Sequence, residues 1–466
     1  MSATFTNPVL WEDLPDPEVL RVGETYYMSA SSFHFSPGAP VLQTSDLINW
    51  SYIRHSVPSL PPHSRFSLDG KRPTAYGKGV WACTIKYRES NRLFYFYTAI
   101  QGTDATYFYT AESPGGVWTA HPPIKRFYYD LRLLVDDDDA IYITYRTKTI
   151  EVAQLLADGL REVSNRVSTA GPFGPYKARD VIEGMRSPWY YMAFTNTYPT
   201  GRIPVLAPVE FDSKGWPKVI TDYATAKGDW LLKYSHPHAP SPSEKHSTSF
   251  HRYKNHNPNN SKWTIQDGQL ILRTGTVTES LYLNINTLTL RTTGPGSIAI
   301  FCIDTSAITD GDRAGISLFR DESAYIRIHK TSETLNLIYV DGAEVGPINI
   351  PVGWLNGRPV ALDWECISNS SVKAQTPLTA QKVWLQTKVN LRAAHWGRHE
   401  NKARNTTFEY SYDGSKFKQL SPVYELTKST AGYVGYHFGL FIFATVALGG
   451  EIRVGHVNLK AWEPTG

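Results

Sequence analysis

Apolar and polar residues alternate along most of the chain, and hardly any stretch carries the helical period of 3.6. The runs are short, rich in Val, Ile, Tyr and Phe, and bounded by Gly, Pro, Asn and Asp, the pattern of strands joined by tight turns. In the first half they group into units. Unit one spans 16–54, with strands at 16–22, 25–29, 40–44 and 50–53. Unit two runs from Gly79 through 93–97 and 106–110 to Trp118. Unit three opens at Tyr129-Asp130 and continues through 141–145 and 150–153. Four-strand units about 50 residues apart predict the blades of a β-propeller.

After Val163 this grammar breaks. The segment 168–176 arrives almost at once, and 189–194 reads as a second strand with no inner strand ahead of it. The pattern predicts that strands are missing from the units that follow the third. Residues 227–245 are rich in Pro, Ser and His and read as a linker. From Ser247 alternating strands resume, with Asp-Gly turns at 267–268, 341–342 and 413–414, which predicts a β-sandwich. The expected domains are a propeller over 1–228, a linker over 229–246 and a sandwich over 247–466.

Composition narrows the partners. A net charge of +4 over 466 residues implies neither nucleic acid nor a membrane surface as a partner. No apolar run is long enough to span a bilayer. Thirteen Trp, 28 Tyr and 19 Phe suit strand packing and also sugar-stacking surfaces. Cys83, Cys302 and Cys366 are odd in number, lack metal-ligand spacing and read as free thiols. The N-terminus shows no secretory signal, so the chain as written is expected in the cytoplasm, although four glycosylation sequons point the other way. A monomer is expected.

Asp16 lies between Pro15 and Pro17, ahead of the apolar run 19–22. The prolines predict a stiff, extended backbone there. A carboxylate so placed suits a general base or a metal ligand; it equally suits a turn acceptor for backbone N–H groups. Asp130 opens unit three as Asp16 opens unit one. Inner strands line a propeller axis, so both carboxylates are expected to face one pocket.

The order Asn7-Pro8-Val9-Leu10, Pro15-Asp16-Pro17, Arg21-Val22-Gly23, Ser32 to Gly38, then Ser45-Asp46-Leu47 with Asn49-Trp50, resembles the start of a glycoside hydrolase family 43 catalytic domain. The segments 255–258, 310–315 and 438–441 resemble the concanavalin-like module of its fungal xylosidase/arabinofuranosidase branch. The resemblance implies an all-β protein, a five-bladed β-propeller followed by a sandwich. It also implies inverting hydrolysis of arabinose- or xylose-containing plant cell-wall polysaccharides. Asp16 then becomes the general base and Asp130 the carboxylate that orients the acid and tunes its pKa. In Ile182-Glu183-Gly184-Met185-Arg186, Glu183 matches the general-acid motif, although it follows the Pro-Phe-Gly-Pro-Tyr turn that the family places after it. Two readings therefore stand: Glu183 is the acid of a shortened, rearranged blade, or the acid segment is missing and the chain is an inactive relative that at most binds carbohydrate.

Arg202 matches an arginine that holds the sugar, and Phe33, His34 and Trp81 line the expected pocket or pack along its axis. In relatives the sandwich can lend an aromatic to the cleft, and the sequence does not single that residue out. No cofactor is required, and the resemblance allows a structural Ca²⁺ at the axis. The scheme needs a base on one side of the sugar and an acid about 6.5–9.5 Å away. A third carboxylate would raise the acid's pKa. The expected partner is an oligo- or polysaccharide.

Overall fold

The computed structural model describes residues 4–62, 64–68, 74–146, 150–163, 168–170, 181–183, 189–222, 230–236, 253–347, 353–355, 358–360, 364–391, 404–429 and 432–464. At 168–170, 181–183, 253–255, 347, 353–355 and 358–360 it describes backbone only. The described elements are strands, with three short 3₁₀ turns.

Four four-stranded antiparallel sheets form the first half. The first runs Glu18–Val22, Thr25–Ser29, Gly38–Thr44 and Ser51–Val57. The second runs Gly79–Arg88, Leu93–Gln101, Thr106–Ala111 and Thr119–Ala120. The third runs Arg132–Val135, Ile141–Tyr145, Ile150–Leu155 and Ser168–Ala170. The fourth runs Val181–Glu183, Trp189–Asn196, Arg202–Phe211 and Pro217–Val219. These are propeller blades, each leading with its inner strand. The outer ends of the first two share a local device. In the first sheet Trp50 is buried and donates from Nε1 to the Leu47 carbonyl at 3.0 Å, in a turn whose amides at Ile48 and Asn49 donate to Asp46. In the second, Trp118 donates likewise to the Pro114 carbonyl at 3.1 Å.

Two expectations are corrected here. The strand Trp189–Asn196 does have an inner strand ahead of it, because Val181–Glu183 pairs with it in the register Ile182 to Tyr190 and Glu183 to Trp189. A three-residue strand is too short to show an alternation, which is why the pattern missed it. Ser168–Ala170 is the outer strand of the third sheet, paired with Ile150–Leu155, rather than part of a fourth unit. The described residues thus form four blades where the family pattern has five; 171–180 and 184–188 lie outside them. Within the stretch expected as linker, Lys233–Ser235 pair with Thr4–Thr6, joining the two ends of the propeller segment. The histidine-rich remainder, 237–252, lies outside the described residues.

The second half is a sandwich of two large sheets. One runs 364–377, 334–347, 322–331, 312–319, 437–444, 288–291 and 253–255, and ends on Phe35–Ser36 of the propeller half. The other runs 263–266, 269–273, 451–461, 296–304, 382–390 and 405–411, with two short strands added on the last. The strand His437–Ala444 shows how the halves join. All eight of its residues are buried. Side chains alternate faces along a strand. Phe438, Leu440 and Ile442 fill the sandwich interior with Ile316, Ile326 and Leu385. Phe441 and Phe443 face the opposite way, into a cluster with Phe33, Phe35, Leu68 and Tyr76 of the propeller. The module is fused to the propeller through a shared core.

Candidate active site

The inner strands Glu18–Val22, Gly79–Arg88 and Arg132–Val135 are bound to one another by a buried charge cluster. Glu18, 1% exposed, pairs with Lys86 at 2.8 Å and Arg132 at 2.9 Å and accepts from Thr84 Oγ1 at 3.0 Å. Asp16 precedes Glu18 by two residues, and Asp130 precedes Arg132 by two. The Glu18–Arg132 pair therefore brings the two strand entrances together. Sequence reasoning passed over Glu18 because one Glu in an apolar run gives no sign of its distant partners.

Asp16 is half-buried. Its Oδ1 accepts from Arg202 Nη1 at 2.8 Å and its Oδ2 from Ser31 Oγ at 2.8 Å. Its backbone is not extended as the flanking prolines suggest: φ is +52°, in the left-handed region. Tertiary anchors override the local bias of Pro17, since Ser31 also donates its N–H to the Pro15 carbonyl at 2.9 Å. Asp130 has φ +56°, Phe33 +53° and Tyr433 +60°. Left-handed non-glycine residues each cost about 1–3 kcal/mol and cluster where structure serves function.

Arg202 stands at the centre of the site. Burial opposes its charge, yet Asp16, Tyr198 and Asp13 hold its pKa above the ordinary value. Its guanidinium lies 5.3 Å from the Phe33 ring and 5.1 Å from the Phe194 ring, a cation–π sandwich. Phe33, 2% exposed, is stacked parallel to Tyr433 at 6.2 Å, so it supports the wall rather than forming its surface. Tyr433, 41% exposed, and half-buried Trp81 present that surface, 5.8 Å apart, and Trp81 meets Tyr129, next to Asp130, at 6.2 Å. Tyr433 comes from the sandwich. No pattern in the sequence singles it out.

His34 does not join this group. It faces away from Phe33's side, 3% exposed, packed against Phe35 at 4.3 Å, Tyr76 at 4.8 Å and His256 at 5.0 Å. Burial pushes its pKa down to about 3. It lines a separate, small cleft with Tyr76, Trp364, Phe319, Arg320 and Asp321, which contains none of the candidate carboxylates. Glu183 ends the inner strand of the fourth sheet, beside Glu18–Val22. Its side chain lies outside the described residues.

Among the described residues, no group of three or more His, Cys, Asp or Glu side chains could hold a metal ion. Asp16 is matched by Arg202, and Glu18 by Lys86 and Arg132. Carboxylates already neutralised by basic side chains do not fit a Ca²⁺ site.

A carboxylate held by a buried arginine beside aromatic walls, on a propeller that carries a fused sandwich, suits a glycoside hydrolase. Residues 5–193 match the model of glycosyl hydrolases family 43, and residues 244–353 match the beta xylosidase C-terminal concanavalin A-like domain. The chain belongs to glycosyl hydrolase family 43. A solved GH43 glycoside hydrolase, engineered to display both endo-xylanase and exo-arabinofuranosidase activity, is 35% identical, with a TM-score of 0.86 over 98% of this chain and 100% of its own. A non-reducing end alpha-L-arabinofuranosidase of Bacteroides ovatus is 23% identical over 47% of this chain. A xylosidase/arabinosidase of Humicola insolens is 32% identical over 28% of this chain. The chain spans 54% of the length of the Bacteroides protein and 24% of that of the Humicola protein.

Proposed function

We propose that this protein is an inverting glycosidase that removes arabinofuranosyl or xylosyl units from arabinoxylan-type oligo- and polysaccharides. The observation that carries the reading is the ion pair of Asp16 with Arg202 at the head of an inner strand, which the Glu18–Arg132 pair ties to the strand that Asp130 precedes. An arginine bound to a carboxylate favours its ionised form, which is what a general base needs. Asp16 takes a proton from the water that attacks the anomeric carbon. Glu183 donates a proton to the departing oxygen, and Asp130 keeps that acid protonated through like-charge repulsion. Tyr433 and Trp81 offer flat apolar faces to a sugar ring. The chemistry needs two carboxyl groups and water, with no cofactor.

The strand Val181–Glu183 supports Glu183 as the acid, because the segment stands ahead of a Tyr-rich strand as the family motif does. The test is turnover of p-nitrophenyl α-L-arabinofuranoside and β-D-xyloside by the parent, Asp16→Ala and Glu183→Gln. Each substitution is expected to lower kcat by about 10²–10⁴-fold, the usual contribution of a general acid or base. A folded parent inert on both glycosides sinks the hydrolase reading. A fully active Glu183→Gln moves the acid elsewhere.

A further inference from the structure

The segment 9–16 threads between the propeller and the sandwich. Val9 donates its N–H to the Pro204 carbonyl at 3.2 Å, and Leu14 to the Arg202 carbonyl at 2.9 Å. Trp11 accepts at its carbonyl from the Gly294 N–H of the sandwich at 2.9 Å. At its centre is Asp13, 3% exposed, three residues before Asp16. Its Oδ1 accepts the N–H of Arg202 at 2.7 Å, and its Oδ2 accepts the N–H of Gly435 at 2.8 Å. One buried carboxylate thus grips the propeller backbone that bears Arg202 and the sandwich backbone two residues from Tyr433.

The packing leaves little slack. A Cβ on Gly435 would overlap the Thr200 carbonyl, and a Cβ on Gly201 would overlap the Asp13 carboxylate itself. Tyr436 also donates its N–H to the Pro199 carbonyl at 3.2 Å. Beyond the grip, the Arg202 side chain reaches Asp16 at 2.8 Å and the Tyr433 carbonyl at 3.4 Å. A shift of either backbone therefore moves the guanidinium that holds Asp16 and the ring that walls the pocket. A carboxylate can accept two N–H bonds at once, whereas an amide turns one of its two heads into a donor. Only an acid, or a group with two acceptors, serves both sides.

We propose that Asp13 is a positioning residue that couples the C-terminal sandwich to the reactive carboxylate, so that the seating of the sandwich sets how firmly Arg202 holds Asp16. This rests on the hydrolase reading above. The test uses the full chain carrying Asp13→Asn. Its kcat and KM are measured on both p-nitrophenyl glycosides from roughly pH 4 to 9, with amide hydrogen exchange read at Arg202 and Gly435. The expected result is a fall in kcat/KM of about 10–100-fold, the cost of displacing a catalytic constellation by a fraction of an ångström to an ångström. The acid limb of the pH profile moves up as Arg202 loosens from Asp16, and exchange at the two amides speeds up together. A folded variant with an unmoved pH profile, or with one amide loosened and the other unchanged, overturns the proposal and leaves Asp13 an ordinary buried staple. If Asp13→Asn does not fold, exchange in the parent decides: the Arg202 and Gly435 amides, both bound to Asp13, must open together at one common rate, and separate rates overturn the proposal. If the parent turns over neither glycoside, the hydrolase reading has failed, and paired exchange at Arg202 and Gly435 still decides whether the coupling exists.

Discussion

Two buried junctions hold the sandwich to the propeller, and they use opposite physics. At the Asp13 junction both carboxylate oxygens accept backbone N–H groups, one from each half. At the other, histidines are packed among aromatic rings. His34 meets Phe35 and Tyr76 of the propeller and His256 beyond it, and His437 stacks on Phe35 at 4.3 Å. His256 Nε2 accepts from the Ala75 N–H at 3.0 Å, while both ring nitrogens of His34 are buried with no hydrogen-bond partner among the described residues. The first junction is directional and fixes register. The second supplies area and tolerates charge poorly.

The difference shows in the response to acid. Burial raises the Asp13 carboxyl above its usual range, against the pull of its two backbone donors. The native state then holds that proton more readily than the unfolded chain, and acidification through this range favours folding at this site. The histidines carry the reverse sign. Burial lowers all three: His34 to about 3, His256 well below its ordinary value with His34 adding to the effect, and His437 likewise with Arg291 and His34 adding. The unfolded chain then binds protons that the native state refuses, and stability is lost as pH falls below 6.5, the ordinary histidine value.

The largest expected effect comes from emptying the directional junction. Asp13→Ala leaves two buried N–H groups without an acceptor, at about 1–3 kcal/mol each. Urea unfolding is expected to show a loss of about 2–6 kcal/mol; a loss below that of an ordinary surface substitution would mean that the grip contributes little. Next is the acid response of the intact protein. Between pH 6.5 and 5, His34 alone is expected to cost about 1.5 kcal/mol, because the unfolded imidazole goes from half to nearly full protonation while the buried one stays neutral. Thermal midpoints recorded across that range check it, and a flat profile would show that the histidine cluster is open to water. His34→Phe sharpens the point. It removes two unpaired polar atoms from an aromatic nest, so stability near pH 7 should change by less than about 1.5 kcal/mol. The acid slope should also become shallower, as parallel melts of parent and variant will show. The smallest change is Thr289→Val, which removes a 3.3 Å contact between its hydroxyl and His437 Nδ1. About 0.5–1 kcal/mol is expected in the same melts, and a larger loss would reassign this junction to the directional kind.

Much of the fold was legible because strand signals are local. The first blade was read at 16–22, 25–29, 40–44 and 50–53, and stands at Glu18–Val22, Thr25–Ser29, Gly38–Thr44 and Ser51–Val57. Period-two alternation and Gly- or Asn-bearing turns are written in adjacent residues, so they need no partner to be recognised. The same holds for Asp16 and Asp130, each ahead of an apolar run. The three-residue strand Val181–Glu183 escaped because alternation needs more length, and it is recognised only by the strand paired with it.

What the site requires was decided by contacts that no window of sequence holds. Asp16 follows and precedes proline, yet Arg202, 186 positions away, and Ser31 hold its carboxylate while its backbone takes the left-handed turn. Tyr433 walls the pocket 231 positions from the arginine it touches, and Asp13 meets Gly435 across 422. Alternation and turn chemistry along the chain determined that this is a propeller followed by a sandwich, with carboxylates at the heads of inner strands. Which side chains those carboxylates meet was left to the tertiary structure, because burial, ion pairing and hydrogen bonding act through space between strands whose separation in sequence carries no physical signal.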